Sequence, residues 1–163
     1  MTCFHNQVIV VPTDMSEFSL RALEMANQIS DGRKSIHVVH VMAVIEPIEP
    51  EAAWVVVDEP TRLEQTRLLL GEFLARHGFG DVKFEVLIGN AGTEIAEYAA
   101  EVGAGLIVIP SHGRGPIKRL LLGSTTDRVV HLAPCPVLVL KEEKKSVECR
   151  DRSGQWRGKA VTP

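Results

Sequence analysis

Gln7-Val8-Ile9-Val10-Val11-Pro12-Thr13-Asp14-Met15-Ser16 is the stretch that decides the fold. Its unbroken β-branched run has no polar face, so it reads as a strand buried on both sides, closed by the turn Pro12-Thr13-Asp14. Ser16 is placed to cap a helix in which Phe18, Ala22, Met25, Ala26 and Ile29 recur at helical spacing, and Asp31-Gly32 supplies the stop. A buried strand that feeds directly into a helix is the first half of a βαβ unit.

The same alternation continues along the chain. Ser35 to Met42 reads as a second strand, and Leu63, Leu70, Phe73 and Leu74 mark a helix from about Pro60 to His77, ended by Gly78. Val82 to Ile88 is a third strand, and Thr93 to Val102 a helix with Ile95, Tyr98, Ala99 and Val102 on one face. Leu106 to Ile109 is a fourth strand, Ser124 to His131 a fourth helix and Pro136 to Leu140 a fifth strand. Each crossover must return the chain to the same end of the sheet, which specifies a doubly wound α/β sandwich with a parallel sheet and helices on both faces. Residues 43 to 60, with Pro47, Pro50 and Pro60, form a connection too long for a tight turn; a surface insertion and a lid are both open readings.

Composition bounds what this fold can do. The chain has 163 residues, 45% hydrophobic and 24% charged, which is enough for one domain with a real core. That domain is expected over residues 1–142. Residues 143–163 are polar, lack apolar periodicity and are expected to form a disordered tail, with Trp156 as its one anchor candidate. A net charge of -3 argues against general nucleic-acid or anionic-membrane affinity, so any anion site must be local. No apolar run approaches the ~20 residues of a bilayer span, and Met1 to Gln7 lacks a secretion pattern, so a cytoplasmic location is expected. Cys3, Cys135 and Cys149 are scattered and odd in number, and read as free thiols.

Ligands of an open parallel sheet sit beyond the carboxyl ends of the strands where the strand order reverses, here between strands one and four. Pro12-Thr13-Asp14 and Ile109-Pro110-Ser111-His112-Gly113 should converge there. From Ser111 to Thr125 the chain combines Gly113, Gly115 and Gly123 with Arg114, Lys118 and Arg119, no acid, and the hydroxyls of Ser124 and Thr125 at a helix start. Glycines let backbone N–H groups approach an oxyanion, and a helix amino end adds free donors. The plainer alternative is a pair of turn glycines, solvated cations, and Ser124 as an N-cap paired with Asp127. Asp14 likewise reads either as a ligand group or as an acceptor for its own turn. His112 has no orienting partner at a recognisable spacing, and His37 and His40 fall on opposite faces of one strand, so neither a catalytic base nor a metal site is read from them. No hydrolase or transferase constellation is found.

Gly113, nine residues, Gly123-Ser124, followed by Ala133-Pro134-Cys135-Pro136-Val137-Leu138-Val139, resembles the carboxy-terminal signature of the universal stress protein family. Val10-Val11-Pro12-Thr13-Asp14-Met15-Ser16 resembles that family's first strand and loop, and Gly89-Asn90 its turn before the third helix. The likeness covers about residues 5 to 142. It implies a Rossmann-like sheet of the adenine nucleotide alpha hydrolase type with strand order 3-2-1-4-5, and a stress-response or signalling role. It further implies ATP, with Mg²⁺ or Mn²⁺, bound with slow or no hydrolysis. Pro12, Thr13 and Asp14 would line the adenosine side and Val41 would contact the base. Ile109, Ser111, His112, Gly113, Arg114, Gly115, Gly123, Ser124 and Thr125 would make the remaining nucleotide contacts. A homodimer through Pro136, Val137, Leu138, Val139 and Leu140 is also implied. The family motif is Gly, two residues, Gly, nine residues, Gly, then Ser or Thr, and Pro110 stands at its first position. Proline brings no N–H, which keeps open a second reading, a nucleotide-independent interaction module of the same fold.

Overall fold

The computed structural model describes residues 7–45, 58–111, 122–141, 149–150 and 156–157. Five parallel strands alternate with four helices: β1 Val8–Pro12, α1 Glu17–Ile29, β2 Ile36–Met42, α2 Glu59–Arg76, β3 Lys83–Ile88, α3 Ala91–Glu101, β4 Ala104–Pro110, α4 Ser124–Leu132 and β5 Val137–Leu140. A single 3-10 turn, Arg33–Ser35, leads into β2. The sheet order is β3-β2-β1-β4-β5, so the reversal falls between β1 and β4 as the sequence implies. β6 Cys149–Arg150 and β7 Trp156–Arg157 pair antiparallel as a separate two-stranded ribbon, where the sequence led us to expect no regular structure.

Alternation along each strand divides the interior into two cores. Ile9, Val11, Ile36, Val38, Leu106 and Val108 meet Ala22, Leu23 and Ala26 of α1 and Leu70 and Leu74 of α2 on one face. Val10, Val39, Ile107 and Ile109 meet Ile95 and Ala99 of α3 and Val129 of α4 on the other. The side chains of β1, β2 and β4 are thus used on both faces, which is why these strands read as unbroken apolar runs.

Local chemistry sets the element ends. Ser16 accepts from the Ser19 N–H and its own N–H donates to Ser19 Oγ, a reciprocal capping box that starts α1. Asn90 caps α3 by accepting from the Thr93 N–H, which moves the start back to Ala91 from the expected Thr93. β4 also runs longer than its apolar core: Ala104 pairs with Val8 of β1, Gly105 follows across a register shift in that ladder, and β5 joins only from Ile107 onward.

His37 lies in β2, buried, with Nδ1 3.2 Å from the Tyr98 hydroxyl oxygen. Burial, aided by Lys83, holds its pKa below the ordinary 6.5. The folded state therefore binds this proton less tightly than the unfolded chain. His37 contributes nothing adverse above pH 6.5, and stability is lost as pH falls through that value. Urea unfolding at pH 7.5 and 5.5 should show this loss, and His37→Gln should make the dependence shallower.

Candidate functional site

Where β1 and β4 end, a cavity of about 400 Å³ opens between the β1–α1 loop and the start of α4. Its size falls in the usual range for small-molecule sites, and most of its wall is apolar. Of the residues expected at a site, Pro12, Thr13, Asp14, Val41, Ile109, Gly123, Ser124 and Thr125 all line this one cavity. His112, Gly113, Arg114 and Gly115 lie outside the described residues, as do Lys118 and Arg119.

The β1–α1 loop is held tightly. The Thr13 N–H donates to Val39 O at 2.8 Å, Thr13 Oγ1 accepts from the Met15 N–H at 3.0 Å, and Thr13 Oγ1 and Ser19 Oγ lie 2.9 Å apart. Met15 carries a φ of 58°, the left-handed region, which turns the chain sharply after Asp14. Asp14 Oδ1 accepts from both the N–H and the hydroxyl of Ser16. Asp14 thus braces its own turn, as one of its two readings has it, and it also stands on the cavity wall. Partial burial pushes its pKa up, but hydrogen bonds from Ser16 and Ser19 outweigh that and leave it below the ordinary 3.8. The group is an acceptor at neutral pH.

The opposite wall is the first turn of α4. Gly123, not Ser124, is the N-cap, and no side chain caps the helix. The Asp127 N–H closes onto Gly123 O at 2.8 Å, so no capping box with Ser124 forms. Ser124, Thr125 and Thr126 thus begin the helix with N–H groups that have no acceptor within it, while their residues line the cavity. This end carries the positive pole of the helix dipole. Two expectations change in detail. The Gly123 N–H is not a free donor, since it donates to Ser111 O at 2.8 Å. Ser111 is buried off the cavity wall, with its own N–H given to Leu140 O at 2.7 Å, so its main chain joins β4, β5 and α4.

Pro110 does line the cavity. The N–H groups of Ile107 and Ser111 point to β5, at Pro136 O and Leu140 O, so the amide position of residue 110 faces the β1 side. The β1–β4 pairing has ended there, at Val10↔Ile107, and the proline costs no ladder bond. Its carbonyl accepts from Thr126 Oγ1 at 2.8 Å, fastening α4 to β4. Thr126 is buried, so Thr126→Val should destabilise the fold by about 1–2 kcal/mol in urea titrations.

Sequence reasoning did not assign Ser19, Val39, His40, Ala91, Ile95 or Thr126 to the site, yet all line it. None carries a local motif. They arrive from neighbouring strands and helices through the sheet order. An adjoining opening of about 310 Å³ shares Val41, Ala91, Ser124 and Thr125 with the first and adds Arg128. Gly92 makes room for that side chain, because a Cβ there would stand 2.6 Å from Arg128 Cβ. Among the described residues no group of three His, Cys, Asp or Glu could hold a metal, and no helix is long and apolar enough to cross a membrane. Cys135 is a free, partly buried thiol whose pKa burial pushes up, as expected of a packing residue.

Residues 5–141 match the universal stress protein family. A universal stress protein of Methanocaldococcus jannaschii, MJ0531, is 34% identical over 142 residues, covering 84% of this chain and 83% of its own. Among solved structures, universal stress protein UspA from Lactobacillus plantarum superposes with a TM-score of 0.64 at 25% identity, over 83% of this chain and 98% of that one. A universal stress protein solved in complex with cAMP gives a TM-score of 0.54 at 25% identity, over 82% and 95% of the two chains.

Proposed function

The chain belongs to the universal stress protein family, and from that premise we propose that it is a cytoplasmic, homodimeric stress-response or signalling protein that binds ATP, with slow or no hydrolysis. The observation that carries this reading is the uncapped first turn of α4 facing Asp14 across an apolar cleft. Free helix N–H groups and two hydroxyls suit phosphate, the apolar wall suits a base, and an ionised Asp14 suits hydroxyl donors. In this reading Pro12, Thr13 and Asp14 hold the adenosine side, Val41 the base, and Ser124 and Thr125 the phosphates, with Arg128 adding positive charge beside them. Mg²⁺ or Mn²⁺ would enter with the phosphates. The complex of a relative with cAMP supports an adenine nucleotide as the ligand class.

Nucleotide binding would act in this role as a conformational signal rather than through rapid turnover. The expected result is a melting temperature raised by roughly 5–10 °C when ATP exceeds its Kd a hundredfold. Absence of any ATP-dependent rise would favour the second reading, the nucleotide-independent interaction module. Pro110 supports that alternative, because it presents a ring to the cavity where the family motif has a glycine.

The dimer would form through β5. It is an edge strand, Leu138 on it is 37% exposed, and Val130 and Leu132 on α4 are 42% and 48% exposed.

A further inference from the structure

Among the described residues, Asp14 and His40 are the two titratable ones on the wall of the main cavity. His40 Nδ1 lies 2.8 Å from the carbonyl oxygen of Thr13. A carbonyl only accepts, so Nδ1 carries the hydrogen and the neutral ring keeps its lone pair on Nε2. The ring is also fixed in place. The Thr13 N–H is bonded to Val39 O and its C=O to His40, so the residue before Asp14 is tied to β2 through both of its backbone groups.

The result is an unusual pairing on one wall. Nε2 of His40 is an acceptor, and the Asp14 carboxylate, whose hydrogen bonds from Ser16 fall on Oδ1, is another. The nearby hydroxyls of Thr13 and Ser19 are turned toward each other at 2.9 Å. Two acceptors lining one cavity, one of them tied to the residue before the other, call for two donors on one ligand, and a vicinal diol supplies them.

We propose that His40 is a specificity-determining residue of the site: Nε2 accepts from one ribose hydroxyl while Asp14 accepts from the other, so that ligands with an intact vicinal diol are selected. This rests on the nucleotide reading above. It separates ATP from its deoxy analogues, and it disfavours a 3′,5′-cyclic nucleotide, which has lost one donor.

The test is calorimetric titration with ATP, 2′-deoxy-ATP and 3′-deoxy-ATP. The wild-type chain should bind each deoxy analogue about tenfold more weakly than ATP, the value of one lost hydrogen bond. His40→Asn keeps an amide N–H close to the position of Nδ1, and so the Thr13 contact, but deletes the acceptor at the far side of the ring. It should bind ATP about tenfold more weakly and lose the penalty for one analogue while keeping the other. His40→Gln, which can place an amide oxygen near the Nε2 position, should restore part of that penalty. Equal binding of all three nucleotides by the wild type overturns the proposal and leaves the nucleotide site standing, as does His40→Asn with both penalties intact. Binding of none of the three by the wild type overturns the nucleotide reading, and this inference with it.

Discussion

Gly123→Glu should abolish the ATP-dependent rise in melting temperature while leaving the protein folded. Gly123 has φ -59° and ψ 150°, values open to any residue, so the substitution introduces no backbone strain. Its N–H can still reach Ser111 O, and a carboxylate at a helix amino end interacts favourably with the dipole. Stability without ligand should therefore change by under about 1 kcal/mol. Binding should change far more, because the new carboxylate stands on the cavity wall beside Ser124 and Thr125, where the phosphates are proposed to lie. Like charges about 4 Å apart at an effective dielectric of about 20 repel by roughly 4 kcal/mol, or two to three orders of magnitude in affinity. A variant that melts like the wild type and still gains its full ATP-dependent rise would remove the phosphates from α4. Gly123→Ala serves as the mild control.

Leu138→Lys should convert the proposed dimer to a monomer. β5 pairs with β4 through the carbonyls of Pro136 and Leu140, so by alternation the backbone of Val137 and Val139 faces the open edge. The Leu138 side chain is more than one-third exposed and, with Leu140, belongs to the α1/α2 face of the sheet, while Val130 and Leu132 of α4 are exposed on the other face. In a two-fold interface the same lysine appears on both subunits, so its desolvation is incurred twice and the two lysines repel each other. The dimer dissociation constant should rise at least about a hundredfold, against a small change in monomer stability. Sedimentation equilibrium of both proteins measures this directly. An unchanged mass for the lysine variant would move the interface elsewhere.

The legible part of the fold was the part with local causes. Val8 to Val11 and Leu106 to Ile109 announce strands buried on both faces, and Ser16 announces the start of α1; the structure has each of them. Boundaries moved where a side chain competes for backbone groups, as at Asn90, or where pairing with β1 recruits small residues, as at Ala104. The site was legible at the carboxyl ends of β1 and β4 because topology places ligands there and Thr13, Asp14, Ser124 and Thr125 are polar at those ends. His40 was not legible. The sequence places it only on the opposite face of its strand from His37, and its contact with the Thr13 carbonyl, at the start of the loop that carries Asp14, depends on how β1 and β2 end side by side. Gly123 was read as a donor and proved to be a cap whose N–H is already spent, a distinction that depends on where Ser111 lies in space. Thr126 gives no signal either, since a threonine in a first helical turn ordinarily contacts its own helix and not a proline carbonyl at a strand end.

An adenine nucleotide is proposed to occupy the cleft between the ends of β1 and β4. Crystals of the full chain grown with millimolar ATP and Mg²⁺ test it most directly. The expected result is electron density for the nucleotide with its ribose beside Asp14 and His40, its base near Val41 and its phosphates against the N–H groups of Ser124 and Thr125. A cleft that holds only solvent under those conditions, or a nucleotide bound elsewhere on the molecule, would contradict it.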